Sequence, residues 1–402
     1  MHKIERLLQT LAPKGVEFRK LGEVINILKG KQLNKELLLD YGKYPVMNGG
    51  IYASGYWNEY NTDCPKIIIS QGGASAGYVN YMTLKFWAGA HCYTIELNSE
   101  KLNYKFLYYF LKNSQTILMK SQFGAGIPAL NKADIENLTI PIPPLEIQQE
   151  IVKILDAFTE LNTELNTELN ARKKQYEYYQ NMLLDFKDIH QNRKDAKMSA
   201  KAYPKRLKTL LQTLAPKGVE FRKLGEVCDF QKGKSITKKA VTFGKVPVIS
   251  GGRQPAYYHN EANRSGETIA ISSSGVYAGY VSYWDIPVFL ADSFSVSPKQ
   301  KTLMPKYLFH YLTTQQDAIH ATKSAGGIPH VYSKDLQNFL IPIPPLEIQQ
   351  EIVKILDQFL ALTTDLQAGI PAEIKARKKQ YEYYREKLLT FKPLTPHKEV
   401  KK

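Results

Sequence analysis

Two long stretches of the chain, each following a proline-rich segment, have apolar residues at helical spacing. The apolar positions alternate steps of four and three, which is the heptad pattern of helices that pack along their length. Pro144 and Pro345 suit the first turn of such helices. The positions predicted to pair the helices, hereafter the helix seam, are Ile147, Ile151, Ile154, Phe158, Leu161, Leu165 and Leu169 in the first stretch and Ile348, Ile352, Ile355, Phe359, Leu362 and Leu366 in the second.

Residues 159–170 of the first stretch consist of the tetrapeptide TELN repeated three times in tandem. Because one tetrapeptide is close to one helical turn, whole units can be added without rotating the apolar face away from its neighbour. Each unit changes the length of the helix by about 6 Å, so the repeat predicts a ruler of adjustable length. The alternative is a repeat whose length is neutral. In the second stretch, Gly369 and Pro371 predict a kink or a restart of the helix.

The regions outside these stretches contain short runs of β-branched and aromatic residues bounded by Gly, Pro, Asn and Ser. Such runs predict strands, at 65–71, 77–82 and Cys92–Leu97 in the first half of the chain. The runs TIAISSS, GYVSYW and FSVSP are their counterparts in the second half. One-sided apolar spacing predicts a helix over 103–121 and another over 304–324.

The whole pattern occurs twice in the chain, as an internal repeat. LLQTLAPKGVEFRKLGEV occurs at 7–24 and 210–227, IPIPPLEIQQEIVKILD at 140–156 and 341–357, and ARKKQYEYY at 171–179 and 376–384. Between these identical blocks the halves diverge but still align by pattern, as YPVMNGG does with VPVISGG. We therefore predict an α+β fold with two β-rich domains separated by two long helices that pair as an antiparallel coiled coil, with a pseudo-twofold internal repeat.

The repeat also predicts the borders of the segments along the chain. The linker between the halves is rich in Lys and Arg and has no periodicity, which is typical of flexible chain. The predicted segments are a first domain at 1–139, a first helix at 140–187, a basic linker at 188–209, a second domain at 210–340, a second helix at 341–392 and a basic tail at 393–402.

The formal net charge of +16 over 402 residues predicts a polyanionic partner, and nucleic acid is favoured over a membrane surface. No basic amphipathic helix with Trp or Phe on its other face is evident. The chain also has no run of 18 or more apolar residues, which is the length needed to span a membrane. The first residues lack the pattern of a secretory signal, so we expect a cytoplasmic location. Cys64, Cys92 and Cys228 lack the spacing of a metal site, so buried or free thiols are predicted.

Taken together, these features resemble the specificity subunit of type I restriction–modification enzymes. The likeness is carried by IPIPPLEIQQEIVKILD in both copies, by the TELN tandem with the following ARKKQYEYY, and by the LGEV segments at Leu21 and Leu224. It covers nearly the whole chain in the order of the family, which is recognition domain, helix, recognition domain, helix. The resemblance implies that each β-rich domain is a target recognition domain that binds one half of a split double-stranded DNA target.

The resemblance further implies that the paired helices set the gap between the half-sites and dock two modification subunits. Those subunits are methyltransferases that use S-adenosylmethionine, and endonuclease subunits that translocate DNA with ATP and Mg join them in host defence. The chain itself is expected to catalyse nothing, to hold no metal or cofactor and to bind no membrane. A coiled-coil scaffold for protein partners, without sequence-specific DNA binding, is the alternative.

A self-contained nuclease or methyltransferase is a third hypothesis, and the residues give it little support. An amino-methylating site needs an Asp, Asn or Ser before Pro-Pro and an aromatic residue, whereas the Pro-Pro pairs of this chain lie in IPPL. The segment GKS at 233–235 ends like a phosphate-binding loop, but Cys228 occupies the place of the first glycine of that motif.

The candidates for DNA contacts lie in glycine-containing turns at matching places in the two halves. Basic and glycine residues suit phosphate contacts, and polar residues at variable positions suit base edges. For phosphates, the candidates are Lys29, Lys31, Lys120 and Gly126 in the first half and Lys232, Lys234, Lys323 and Gly327 in the second, with Lys120 matched to Lys323. For bases, they are Asn48, Gln71 and Asn131 in the first half and Arg253, Ser273, His330 and Tyr332 in the second. Solvated charges and ordinary turn residues are the alternative, and His91 and His259 are left unassigned.

Overall fold

The computed structural model describes residues 2–124, 128–186, 203–299, 301–324, 327–364 and 369–394. The chain divides into two compact units: unit 1 comprises Met1–Asn166 with Glu373–Lys402, and unit 2 comprises Thr167–Ala372. Each unit therefore contains one β-rich domain and a part of each long helical stretch. This division groups residues differently from the predicted segments, which separated the helices from the domains.

Unit 1 contains three small sheets and the short helices of the first domain. Strand β1 pairs antiparallel with β9, a four-stranded antiparallel sheet has the order β2-β8-β5-β6, and a three-stranded sheet has the order β4-β3-β7. Its strands are β1 (Glu17–Lys20), β2 (Ile25–Lys29), β3 (Tyr44–Met47), β4 (Gly55–Trp57), β5 (Lys66–Ser70), β6 (Val79–Met82), β7 (Trp87–Ala88), β8 (Cys92–Leu97) and β9 (Thr139–Ile142). Its short helices are α1 (His2–Leu11), α2 (Tyr104–Asn113), α3 (Gln115–Lys120) and α4 (Lys132–Glu136).

Unit 2 repeats this arrangement. Its sheets have the orders β10-β18, β11-β17-β14-β15 and β13-β12-β16. The strands are β10 (Glu220–Lys223), β11 (Cys228–Lys232), β12 (Val246–Ile249), β13 (Tyr257–His259), β14 (Thr268–Ser272), β15 (Val281–Trp284), β16 (Phe289–Leu290), β17 (Ser293–Pro298) and β18 (Leu340–Ile343). The short helices are α6 (Lys205–Leu214), α7 (Leu224–Val227), α8 (Pro305–Thr314), α9 (Gln316–Ala321) and α10 (Ser333–Leu336), numbered after the long helix α5 (Leu145–Leu184).

The predicted strands are present with shifts of one or two residues at their ends, and the α+β class is confirmed. Each predicted domain helix is interrupted once, because 103–121 forms α2 and α3 and 304–324 forms α8 and α9. Helix α6 begins inside the segment predicted as a linker, and residues 188–202 of that segment lie outside the described residues. Cys92 and Cys228 are buried and Cys64 is exposed, and all three are free thiols as predicted.

The first long helix, α5, is continuous for 40 residues and includes the TELN tandem. The second stretch forms two helices, α11 (Leu346–Thr364) and α12 (Ile370–Leu388). Helix α12 begins directly after Gly369 and has Pro371 in its first turn, which confirms the predicted restart. Pro is tolerated there because the first-turn N–H groups have no partner within the helix.

The helices pair antiparallel. In unit 1, Phe158 stacks on Tyr384 with ring centroids 5.6 Å apart, and Leu388 lies in the core that contains Ile147. In unit 2, the equivalent pair is Tyr179 and Phe359, with centroids 5.1 Å apart. The same aromatic stack therefore occurs once in each unit.

Most of the predicted helix seam is buried or half-buried, with one error. Ile147, Ile151, Ile348 and Ile352 are fully buried and belong to the domain cores as well. Leu165 is 9% exposed, whereas Leu362 is 37% exposed and the neighbouring Thr363 is 4% exposed. The heptad count was wrong at Leu362 because Thr363 takes the inward position there, with its hydroxyl donating to the Phe359 carbonyl. Leu366 lies outside the described residues.

A buried glutamine attaches each domain to its long helix. In unit 1, the Gln148 side chain accepts from Asn103 N (2.7 Å) and donates to the carbonyls of Lys101 (2.8 Å) and Pro143 (2.6 Å). In unit 2, Gln349 makes the same three kinds of bond, to Met304 N, the Thr302 carbonyl and the Pro344 carbonyl. Because a buried amide must have its hydrogen bonds satisfied, this residue fixes the start of the helix against the domain.

Candidate nucleic-acid interface

Turns from five parts of the first domain meet at one end of the four-stranded sheet of unit 1. They are held together chiefly by backbone hydrogen bonds, so their geometry is independent of most of the side chains that they carry. These turns, hereafter the first loop cluster, comprise residues 29–31, 47–49, 70–73, 89–92 and 128–131.

The three base-contact candidates of the first half are linked through the first loop cluster. Asn48 Oδ1 accepts a hydrogen bond from His91 N (3.1 Å), and the His91 carbonyl accepts one from Gln71 N (2.8 Å). The Gln71 carbonyl in turn accepts from Leu130 N (2.8 Å), the residue before Asn131. The structure therefore brings Asn48, Gln71 and Asn131 together, although they lie far apart in the sequence.

The two lysines after the lead-in are anchored to the same cluster. Lys29 is the last residue of β2, and Lys31 N donates to the Ala88 carbonyl (2.8 Å). Between them, Gly30 leaves no room for a side chain, because a Cβ there would lie 2.1 Å from the Gly89 carbonyl oxygen. Both lysine side chains are exposed, so their ammonium groups are available to a polyanion.

The other candidates of the first half are less closely tied to the cluster. Lys120 is exposed at the end of α3, and Gly126 lies outside the described residues. Asn131 caps helix α4, and its backbone N–H donates to Asp134 Oδ2 (3.2 Å). Asn131 was a candidate for a base contact, with an ordinary turn residue as the alternative. As a helix cap it also fits that alternative.

The second domain builds the same arrangement from different side chains. Ser273 N donates to the Asp292 carbonyl (2.8 Å), Val331 N donates to the Ser273 carbonyl (2.9 Å), and Lys234 N donates to the Leu290 carbonyl (2.9 Å). Comparison of these bonds with those of unit 1 matches Asp292 to His91. The second loop cluster comprises residues 232–234, 249–252, 272–275, 291–293 and 329–332.

Cationic and aromatic side chains surround the second loop cluster. Arg253 lies over the ring of Tyr277, 4.9 Å from its centroid, and His330 stacks on Tyr332 with centroids 6.0 Å apart. Gly327 has a φ of +70°, and a Cβ added there would meet no heavy atom of the described residues within 4 Å, which suits a close backbone approach.

Two cationic side chains lie near His320, beside the second loop cluster. Burial lowers the pKa of His320, and the charges of Lys323 and Arg253 lower it further, against the opposite effect of Asp317. Burial is the largest of these causes, and the two cations, Lys323 and Arg253, suit a surface that attracts anions.

One predicted equivalence is wrong. Gln115 and Gln316 occupy matching places, since they accept from Val79 N and Val281 N respectively. Counting from them aligns Lys323 with Gln122 rather than with Lys120. The glycines of GIP, Gly126 and Gly327, are 201 residues apart, as are Gln115 and Gln316. Lys120 lies six residues before its GIP glycine and Lys323 only four, so the two lysines do not match.

Sequence reasoning left out His91 and Asp292, which lie at the centre of the two clusters. Both side chains are exposed. Both residues follow the GYV segments at similar distances, so an alignment of AGAHC with FLADS would have shown that they occupy matching positions. His259 is different, because it is buried and its Nδ1 lies 3.1 Å from the Thr242 backbone N and O. Its role is structural.

Comparison with known proteins identifies the family. The sequence profile described as the type I restriction modification DNA specificity domain matches twice, at residues 13–174 and 216–376. The chain belongs to this family. It is a specificity subunit, and proteins of this class recognise DNA and leave catalysis to other subunits.

Similar proteins include specificity subunits matched over nearly their whole length. The chain is 33% identical to a Haemophilus influenzae protein named as a type I restriction enzyme specificity subunit, over 96% of this chain and 98% of that protein. It is 30% identical to the specificity subunit of the Escherichia coli type I restriction enzyme EcoR124I/EcoR124II, over 98% of each chain. The crystal structure of a type I S subunit from M. genitalium has the same fold, with a TM-score of 0.65 at 24% identity, covering 93% of this chain and 96% of that one.

Within the ranges that the structure describes, no helix is both long and apolar enough to cross a membrane. In the same ranges, no group of three or more His, Cys, Asp or Glu side chains is placed to hold a metal ion.

Proposed function

We propose that this specificity subunit binds a bipartite double-stranded DNA target, with the loop cluster of each unit contacting one half-site. The observation that carries the proposal is that both units build the same hydrogen-bonded cluster and place different side chains on it, of which Asn131, Arg253 and Tyr332 are exposed. A constant backbone with variable side chains is what two domains need to recognise two different sequences in the same manner.

In this proposal the contacts divide by chemistry. Exposed ammonium groups supply affinity through phosphates and carry no sequence information, whereas polar side chains at base edges supply specificity. The phosphate contacts are assigned to Lys29, Lys31, Lys120, Lys232, Lys234 and Lys323, with close backbone approach at Gly126 and Gly327. The base contacts are assigned to Asn48, Gln71, Asn131, Arg253, Ser273, His330 and Tyr332.

Helix α5 is proposed to set the gap between the half-sites. The TELN tandem lies inside an uninterrupted helix, so loss of one unit removes about one turn and shortens the helix by about 6 Å. That length corresponds to roughly one or two base-pair steps of B-DNA. The helix pair, including the helix seam, is also proposed to dock the partner subunits.

The proposed partners are two modification subunits and the endonuclease subunits. S-adenosylmethionine would be bound by the former and ATP with Mg by the latter, so this chain needs no cofactor of its own. The complex would act on DNA in the cytoplasm.

The test is sequencing of methylated adenines in cells that express the chain with its modification subunit. We expect methylation at a split motif, and we expect deletion of residues 163–166 to narrow the central gap without changing either half-site. A length-matched control with Thr163→Ala and Asn166→Ala keeps Leu165 in place and should leave the gap unchanged. A contiguous motif, or a gap that survives the deletion, would contradict the ruler. DNA binding that is independent of sequence would favour the scaffold hypothesis.

A further inference from the structure

Asp292 is an exposed carboxylate at the centre of the second loop cluster. Ser250 Oγ donates to its Oδ2 (3.2 Å), and Ser273 N donates to its backbone carbonyl (2.8 Å). Among the described residues, Oδ1 receives no hydrogen bond and the carboxylate makes no ion pair. The hydrogen bond to Oδ2 therefore fixes the orientation of the side chain, and Oδ1 faces solvent.

A carboxylate at this place would be repelled by DNA phosphates, so its contribution to binding depends on a donor on the bases. In the major groove, guanine and thymine present acceptors, which cannot hydrogen-bond to a carboxylate. Cytosine presents its N4 amino group, which can donate to one. Adenine also presents an amino group, but the adjacent N7 is an acceptor that opposes the carboxylate. One available oxygen therefore matches cytosine best.

We propose that Asp292 is a specificity-determining residue, whose Oδ1 accepts a hydrogen bond from cytosine N4 in the half-site bound by unit 2. The inference rests on the proposed function and identifies one base of the half-site that unit 2 binds. Ser250 acts as a positioning residue because it holds the carboxylate through Oδ2. In unit 1 the matching residue is His91, whose imidazole has different donors and acceptors, so the two half-sites differ at this position.

The experiment uses the full chain in complex with its modification subunit and compares the methylated motifs of wild type and Asp292→Asn. Asparagine presents a donor as well as an acceptor and suits adenine, so the preference for cytosine over adenine at one position should fall roughly 5- to 150-fold. The half-site bound by unit 1 should not change. Ser250→Ala should lower the preference at the same position by a smaller factor.

Two outcomes separate this inference from the proposed function. A split wild-type motif that Asp292→Asn leaves intact would overturn the role of Asp292 and leave the function standing. A wild-type motif that is not split would instead overturn the function. Because Asp292 is exposed, an unchanged thermal unfolding midpoint checks that Asp292→Asn is folded.

Synthetic DNA tests the chemical group. Replacing the guanine opposite the cytosine with inosine removes the minor-groove amino group and leaves cytosine N4 in place. We expect the inosine substitution to change wild-type affinity by less than twofold. We expect methylation of cytosine N4 to weaken wild-type binding more than Asp292→Asn binding, because Ser250 Oγ competes for the single acceptor oxygen of the amide. A large loss with inosine would assign the contact to guanine N2 and refute the cytosine contact.

Discussion

Lys112 is a half-buried lysine of unit 1 whose side chain supports the edge of the four-stranded sheet. Its ammonium group donates to the Val79 carbonyl (2.7 Å) and to Gln115 Oε1 (2.8 Å), and it lies 4.0 Å from the centroid of the Tyr78 ring. Burial, with a smaller effect from the charge of Arg385, lowers the pKa of Lys112 from 10.5 to about 8. The folded chain therefore releases this proton at a lower pH than the unfolded chain.

The shift predicts a pH dependence of stability. Between pH 8 and pH 10.5 the unfolded chain binds a proton that the folded chain does not, so this residue makes stability increase with pH in that window. Lys112→Met should remove the increase, measured as the change in thermal unfolding midpoint between pH 8 and pH 9.5. Lys120→Met, at an exposed position, is the control and should retain the wild-type dependence. Equal dependence in wild type and Lys112→Met would show that Lys112 is not the group responsible.

At the scale of single residues, the sequence could identify which residue types suit contacts with DNA. It could not show which of those residues lie next to each other in the folded chain. The resemblance between YPVMNGG and VPVISGG placed Asn48 in a turn, and its neighbours in space were unknown until His91 and Gln71 were joined to it by hydrogen bonds. Asp292 was missed because a carboxylate contradicts the simple expectation of a basic surface. Long-range pairing of strands decides these neighbours, and local spacing carries no information about it.

At the scale of elements, periodicity predicted the long helices well because packing along a helix imposes its period on the sequence. Residues 145–184 carry apolar residues at helical spacing and form one continuous helix. The second stretch was harder to predict, since the register beyond Phe359 depends on where the helix stops before Gly369. The domain helices were predicted as single helices because the breaks at Ser114 and Gln315 contain neither Gly nor Pro.

The burial difference between Leu165 and Leu362 predicts different effects of truncation. Leu165→Ala should lower the free energy of unfolding by about 2 kcal/mol or more, because it removes a buried side chain and leaves a cavity. Leu362→Ala, the matched control on the second long stretch, should change it by less than about 0.5 kcal/mol. Urea titration followed by circular dichroism at a helical wavelength measures both variants. Equal losses would mean that Leu362 is buried in solution, as the heptad count had suggested.

For the whole molecule, the net charge of +16 suits a protein whose affinity comes mainly from phosphates. Lysines paired with carboxylates contribute less to such binding than lysines without an anionic partner. Lys3 exemplifies the first kind, with its Nζ 2.6 Å from Glu150 Oε2. Lys31 and Lys234 exemplify the second kind, since both are exposed and, in the part of the chain that the structure describes, neither forms an ion pair.

Salt dependence tests this distinction. The logarithm of the binding constant for duplex DNA should fall linearly with the logarithm of salt concentration, by about 0.9 for each phosphate contacted. In complex with the modification subunit, Lys31→Ala and Lys234→Ala should each reduce that slope by about 1 and weaken binding to specific and random duplexes alike. Lys3→Ala should leave the slope unchanged. If Lys31→Ala instead weakens only specific binding and keeps the wild-type slope, Lys31 contacts a base edge rather than a phosphate.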